Sequence, residues 1–445
     1  MTEKRLPQRT IAEELAVRAA RAFTINGIGL TVGFGLQVAL ARMLGVHEYG
    51  LYVYISTWVA VLSVLCILGF DTAAMRFIAE YRARSELSAL WGFIRFARRR
   101  ALSVSVALAV LLGVCIVGAR PLQGQQITAY LIGALLLPVT VLLQLNAYFL
   151  LGFQRAGEAQ ALQLILRPAL LLGGAATMSW VVAQPLNAAN VLWSAVVTAF
   201  AVGAFEVWRV RRLAPPPSAS MRNHDLERRW STTASLLLLV TVAHQVLGNG
   251  DLLLVGMVLG PSDAGVYAAA ARLATLVGFA TTSINLVLAP TISHLYVRGE
   301  YDNLRHSIRV MTRVAVGYAL LMGAFVALVG DWLLGLFGVD FVRGYWILIV
   351  LSVGQLVMAA NGPVGLLMTM TGHQRVVLWI VGSCSITMVG VTLGLMQEID
   401  SLGAAIAAAG ALSVRSILLG HFVRKRLSVY TSKPDGNLQP GDGVL

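Results

Sequence analysis

The sequence carries one half of itself twice. Leu44-Gly45-Val46-His47-Glu48-Tyr49-Gly50-Leu51-Tyr52 returns as Leu259-Gly260-Pro261-Ser262-Asp263-Ala264-Gly265-Val266-Tyr267, 215 residues later. Gly152-Phe153-Gln154-Arg155 returns as Gly372-His373-Gln374-Arg375 after 220 residues, and Arg211-Arg212-Leu213 as Lys425-Arg426-Leu427 after 214. One such echo is chance, but three in the same order at nearly one spacing are not. The chain must fold as two like halves. In a membrane, paired lobes that rock around a site between them are the plan of alternating-access transporters.

The membrane itself follows from composition. The chain is 57% hydrophobic and 12% charged, with a mean hydropathy of +0.75, where a soluble domain carries about 25% charged residues. A helix crosses the hydrocarbon core with about 20 apolar residues. Twelve stretches qualify: 22–41, 51–70, 101–119, 127–151, 161–183 and 189–208, then 232–258, 264–289, 314–329, 345–370, 376–396 and 402–423. The expected fold is all-α, with twelve transmembrane helices in two pseudo-symmetric six-helix lobes around a central cavity.

The N-lobe is predicted over 22–208, the C-lobe over 231–423, and a linker over 209–230 with Pro215-Pro216-Pro217 as an extended spacer. Residues 1–21 read as an amphipathic segment lying on the membrane surface, without the apolar core of a cleavable signal. Residues 424–445 read as a tail, disordered from Ser432.

Charge placement predicts orientation. Lys4, Arg5, Arg9, Arg95, Arg98, Arg99, Arg100, Arg209, Arg211, Arg212, Arg222, Arg228 and Arg229 fall on the N-terminal side of the spans, as do Arg298, Arg305, Arg309, Arg424, Lys425 and Arg426. The opposite loops offer Arg42, Arg120 and Arg343. Both termini are therefore expected in the cytoplasm. The net charge of +13 lies in short blocks without interleaved aromatics, which suits anionic lipid headgroups rather than nucleic acid. Cys66, Cys115 and Cys384 show no paired spacing and read as small buried hydrophobes.

The Leu-Gly-x-x-x-x-Gly-x-Tyr hairpin after the first span has a repeat that runs on through Ala268-Ala269-Ala270-Ala271-Arg272-Leu273. Leu333-Leu334-Gly335-Leu336-Phe337-Gly338-Val339-Asp340-Phe341 precedes the tenth span. This combination resembles the polysaccharide biosynthesis membrane proteins, the O-antigen and exopolysaccharide repeat-unit flippases of the multidrug/oligosaccharidyl-lipid/polysaccharide exporter superfamily. The resemblance implies movement of an undecaprenyl-diphosphate-linked oligosaccharide across the bacterial inner membrane. It also implies a polysaccharide polymerase and glycosyltransferases as partners.

No HExxH, Walker loop or nucleophile elbow is present, so neither an enzyme nor a cofactor is expected. Ionisable residues inside spans are the informative ones, each costing about 2.5–3.5 kcal/mol at a helix centre. Arg272 lies two turns below Gly265. Its guanidinium suits a diphosphate, and an ion pair with Asp251, equidistant from a turn at Pro261-Ser262, is the alternative. Asp251 and His244 are seven residues apart on one helix face and suit a coupling proton or sodium ion, or else structural roles. Arg167, before Pro168, reads as a cationic inner mouth or a snorkelling side chain, and Arg415 reads similarly. Asn146 and Asn361, matched at the 215 spacing, suit interhelical hydrogen bonds or sugar contact. Asn361-Gly362-Pro363 predicts a helix interruption.

Three function classes follow. A lipid-linked oligosaccharide flippase needs cations between the lobes, and a cation-coupled multidrug antiporter needs carboxylates there. A scaffold or enzyme needs neither. Inside the spans the reading counts three arginines against one aspartate, which favours an anionic substrate.

Overall fold

The structure is a computed structural model that describes residues 8–118, 124–181, 186–214 and 224–426. Its helices are Gln8–Ile67 (α1), Phe70–Ala83 (α2), Leu87–Gly118 (α3), Gly124–Gly152 (α4), Ala156–Ala161 (α5), Arg167–Val181 (α6) and Ala188–Leu213 (α7). They continue as His224–Val258 (α8), Pro261–Val297 (α9), Tyr301–Gly335 (α10), Tyr345–Asn361 (α11), Val364–Met370 (α12) and Gln374–Arg426 (α13). Among the described residues there is no strand.

Ten helical stretches are long and apolar enough to cross a membrane. The first and last run to 44 and 52 residues, twice what the hydrocarbon core holds, and each doubles back. α1 turns at Gly45 (φ 73°), so that Tyr49 Oη donates to Gln37 Oε1 at 3.0 Å. In a straight helix those residues would lie about 18 Å apart. α13 turns at Ile399–Asp400, which brings Gly403 against the Leu395 backbone. The ten stretches therefore make twelve crossings, six in each lobe. This is the all-α, two-lobed architecture expected, and both ends of the described chain lie on one face.

The repeated hairpins meet their own copies. A Cβ on Gly50 would stand 1.8 Å from the Pro261 carbonyl oxygen, and one on Gly265 would stand 2.7 Å from that of Val46. His47 Nδ1 lies 3.3 Å from Ser262 Oγ. Each contact joins a residue to one near its equivalent 215 positions on, the reciprocity that a two-fold axis imposes. Only glycine permits so close a backbone approach.

Other contacts seal this far face. Arg42 donates through Nε to the Leu336 carbonyl at 2.6 Å and through Nη2 to the Gly335 carbonyl at 3.2 Å. Phe337 packs edge-on to Phe34 and Tyr49, and Phe341 packs on Tyr49. Within the C-lobe, Arg343 pairs with Asp263 at 3.2 Å.

On the N-terminal face the described residues join the lobes along the edge formed by α2, α3 and α8. Arg229 pairs with Glu80 at 3.1 Å, and Trp230 Nε1 donates to Tyr81 Oη at 2.8 Å. The Trp230 ring packs on Phe93 and Phe96, and Gly69 admits the Ala234 carbonyl.

The predicted linker differs at both ends. Arg209 to Leu213 belong to α7, and His224 to Trp230 to α8. Trp91 Nε1 donates to the Ala214 carbonyl at 3.0 Å. Helix therefore persists on both sides of the proline run, because the flanking turns find buried partners. Pro215 to Pro217, Arg222, Lys4, Arg5, Arg120 and the tail from 427 lie outside the described residues. Ile11 to Arg21 are helical and continuous with the first span, since no break falls between Gln8 and Gly45. Cys66 and Cys384 are buried as expected, but Cys115 is exposed on the outward side of α3.

Candidate functional site

A cavity of 390 Å³ lies between the lobes. Gly29, Phe34 and Gln37 of α1 line one wall, and Arg272, Thr275 and Phe279 of α9 line the other. The aromatic cluster around Phe34 closes it toward the far face, while Asn26 and Ser283 carry its lining toward the N-terminal face. A second space of 250 Å³ continues from it into the N-lobe, sharing Gln37, Gln163 and Arg272 and adding Tyr52 and Arg167.

Arg272 is exposed into this space. The hairpin explains why it does not reach Asp251. The chain turns at Gly260 (φ 93°), ahead of the expected Pro261-Ser262, so the residue level with Asp251 is near Ala269, and the Tyr267 side chain lies within reach. Tyr267 Oη donates to Asp251 Oδ2 at 2.6 Å, and the Leu252 N–H donates to Oδ1 at 2.9 Å. The ion pair offered as the alternative is therefore absent. Arg272 lies five residues beyond Tyr267 along α9, about 7 Å deeper.

Arg167 follows a π-helical turn, Leu162–Leu166. Pro168 has no N–H to donate to Leu164, and the widened turn places Gln163 and Arg167 on one wall of the N-lobe space. Behind them stands Glu206, a residue the count of ionisable groups omitted although it lies inside the sixth span. Glu206 is fully buried, accepts from Gln163 Nε2 at 2.8 Å through Oε1, and leaves Oε2 without a partner. A single carboxylate in an apolar span was the signal for it.

The other candidates are elsewhere. Asn146 is buried and accepts from Arg98 Nε at 3.0 Å and Nη2 at 2.7 Å. Arg98, read as a headgroup cation, thus turns inward and also lies over the Phe149 ring. Asn361 Nδ2 donates to the Val357 carbonyl at 2.9 Å, and α11 breaks after it at Gly362 (φ 70°), as the sequence predicts. Arg415 lies 3.5 Å from Met358 Sδ, with Nε buried and unpartnered. His244 donates locally to the Val240 carbonyl and has Arg415, not Asp251, as its charged neighbour. Neither cavity reaches Asn146, Asn361, Arg415, His244 or Asp251.

Asp251 therefore has a structural test. Asp251→Asn keeps an acceptor for Tyr267 and should unfold near the wild-type temperature in detergent. Asp251→Ala strands a buried hydroxyl, which costs about 1–3 kcal/mol, and should lower that temperature. Adding Tyr267→Phe should restore part of the loss, and adding Arg272→Ala should restore none. Recovery with Arg272→Ala would reinstate the ion pair.

The fold is shared with solved transporters. A multidrug resistance MATE family transporter of the MOP superfamily in its inward-facing conformation aligns at a TM-score of 0.67, with 14% identity over 92% of this chain and 96% of that one. The outward-facing conformation of such a transporter aligns at 0.62, with 15% identity over 93% and 96%. A MOP superfamily transporter from Pyrococcus furiosus, whose binding pocket is described as having a reverse polarity that suggests a different function, aligns at 0.62 with 14% identity over 93% and 96%. No curated protein matches in sequence. Residues 19–296 match the polysaccharide biosynthesis protein family. With that match spanning more than half of its length, the chain is a multi-pass membrane protein that belongs to the polysaccharide biosynthesis protein family.

Proposed function

We propose that this protein flips a polyprenyl-diphosphate-linked oligosaccharide across the bacterial plasma membrane by alternating access, with both termini cytoplasmic and with no catalytic step of its own. Its cargo then comes from glycosyltransferases and passes to a polymerase for surface polysaccharide assembly. The observation that carries this reading is the charge of the site. The linings of the two joined spaces contain Arg167 and Arg272 and no Asp or Glu. A cationic site at that depth suits the diphosphate, whose oxygens match the guanidinium donors, and Arg272 has no internal carboxylate to satisfy it. The cavity in this state is sealed toward the far face, so cargo enters from the N-terminal face.

The competing reading is a cation-coupled multidrug antiporter, favoured by the fold shared with MATE transporters. A cationic drug at this site would face two arginines, which costs binding rather than adding to it.

Proteoliposomes holding the full chain separate the two. We expect a fluorescent undecaprenyl-diphosphate-linked saccharide to exchange between leaflets. Ethidium should not accumulate under an imposed proton or sodium gradient. Gradient-driven ethidium transport without lipid exchange would overturn the reading in favour of the antiporter.

A further inference from the structure

We propose that the N-lobe space is a subsite for one sugar ring of the cargo; the proposal rests on the flippase reading and assigns a part of the cargo to a part of the site. The two spaces share Gln37, Gln163 and Arg272, and polar groups are the denser in the N-lobe one. The inter-lobe portion sets Leu30, Phe34, Leu276 and Phe279 among polar side chains such as Asn26 and Thr275. The junction presents Arg272, and the N-lobe portion presents Ser56, Thr140, Gln144, Gln163 and Thr198 with the ring of Tyr52. Arg272 thus stands between a mixed apolar and polar surface and one on which hydroxyl and amide groups cluster beside Arg167, a placement that suits a diphosphate with its first sugar beyond it.

The hydroxyl and amide residues of this lining fit a sugar. Hydroxyl and amide side chains offer both donors and acceptors without net charge, as a ring of hydroxyls requires. An all-apolar group would leave them unpaired, and a second phosphate would find Arg167 as the one cation added beyond the junction. Part of this hydrogen-bonding capacity is already unspent. Thr140 is 3% exposed and its Oγ1 has no partner, an arrangement native interiors keep rare. Gln144 uses Oε1 to accept from Ser63 at 3.0 Å, which leaves its amide N–H groups for the space it lines.

The size agrees. A volume of 250 Å³ equals about eight waters at roughly 30 Å³ each, which is room for a pyranose ring.

Binding to the purified full chain tests this with two kinds of probe. One is undecaprenyl diphosphate, and the other is the same lipid carrying glucose, galactose or N-acetylglucosamine. The wild type should bind its best sugar-bearing lipid about tenfold more tightly than the bare lipid, the equivalent of one or two added hydrogen bonds. Thr140→Val with Gln144→Leu should bind the two alike. Thr140→Val alone removes a hydroxyl with no internal partner, so it folds, and it should cut the preference several-fold even where the double variant fails to fold. A wild type with no preference for any sugar, or a preference that survives Thr140→Val undiminished, overturns the subsite and leaves the diphosphate reading standing. Failure of the wild type to bind either kind of lipid removes the cargo reading, and the subsite with it.

Discussion

Arg272→Ala should lower lipid-linked saccharide flipping roughly 10- to 100-fold, the loss expected when a charge-assisted hydrogen bond worth about 1.5–3 kcal/mol is removed. Protein abundance and thermal unfolding should stay near wild type, because the side chain stands exposed in the cavity and is in no ion pair among the described residues. That separation makes the test sharp, since a structural arginine would lower both. Arg272→Lys should recover only part of the flux, because an ammonium cannot present the planar fork of donors. Proteoliposome exchange of the fluorescent saccharide lipid reads the rate, and detergent-state unfolding reads the fold. Normal exchange by Arg272→Ala would move the diphosphate deeper, to Arg167 in the N-lobe space.

A comparable loss is expected from locking the far face. His47 and Ser262 already meet at 3.3 Å, so His47→Cys with Ser262→Cys, in a background where the exposed Cys115 is replaced by Ser, should form a disulfide on oxidation. Exchange should stop and return with reductant. Gly50→Val tests the same contact from the other side. Its added atoms have no room beside the Pro261 carbonyl, which a Cβ alone would approach to 1.8 Å, so this face cannot close and the cysteine pair should no longer cross-link. Undiminished exchange by the oxidised pair would show that the lobes do not part here during transport.

The sequence was legible where apolar runs and repeats govern, and silent where register does. The twelve crossings follow from hydropathy because lipid leaves the backbone no alternative to helix. The break at Asn361-Gly362-Pro363 follows from local backbone rules. The partner of Asp251 did not follow. It depends on the hairpin turning at Gly260 rather than at Pro261-Ser262, which moves the residue level with Asp251 back from Arg272 to near Ala269 and brings the Tyr267 side chain within reach. Asn146 and Arg98 show the same limit, since a cation near a helix end reads as a headgroup ligand until a buried amide is known to face it. Glu206 was legible but not read, and including it makes the spans less one-sidedly cationic. It does not alter the cavity linings, which its side chain does not reach. The π-helical turn before Pro168 left no sequence signal beyond the proline.

Arg42 donates to two main-chain carbonyls, whereas the opposite face is braced by the carboxylate of Glu80 against Arg229. Ions in solution screen exposed charge pairs, but they have less effect on a guanidinium seated on peptide dipoles. The two ends of the molecule therefore respond unequally to ionic strength, with added salt loosening the Glu80–Arg229 end first. Nor can substitution at Gly335 or Leu336 remove an acceptor that belongs to the backbone. The grip of this latch is set from one lobe alone, by whichever side chain stands at position 42.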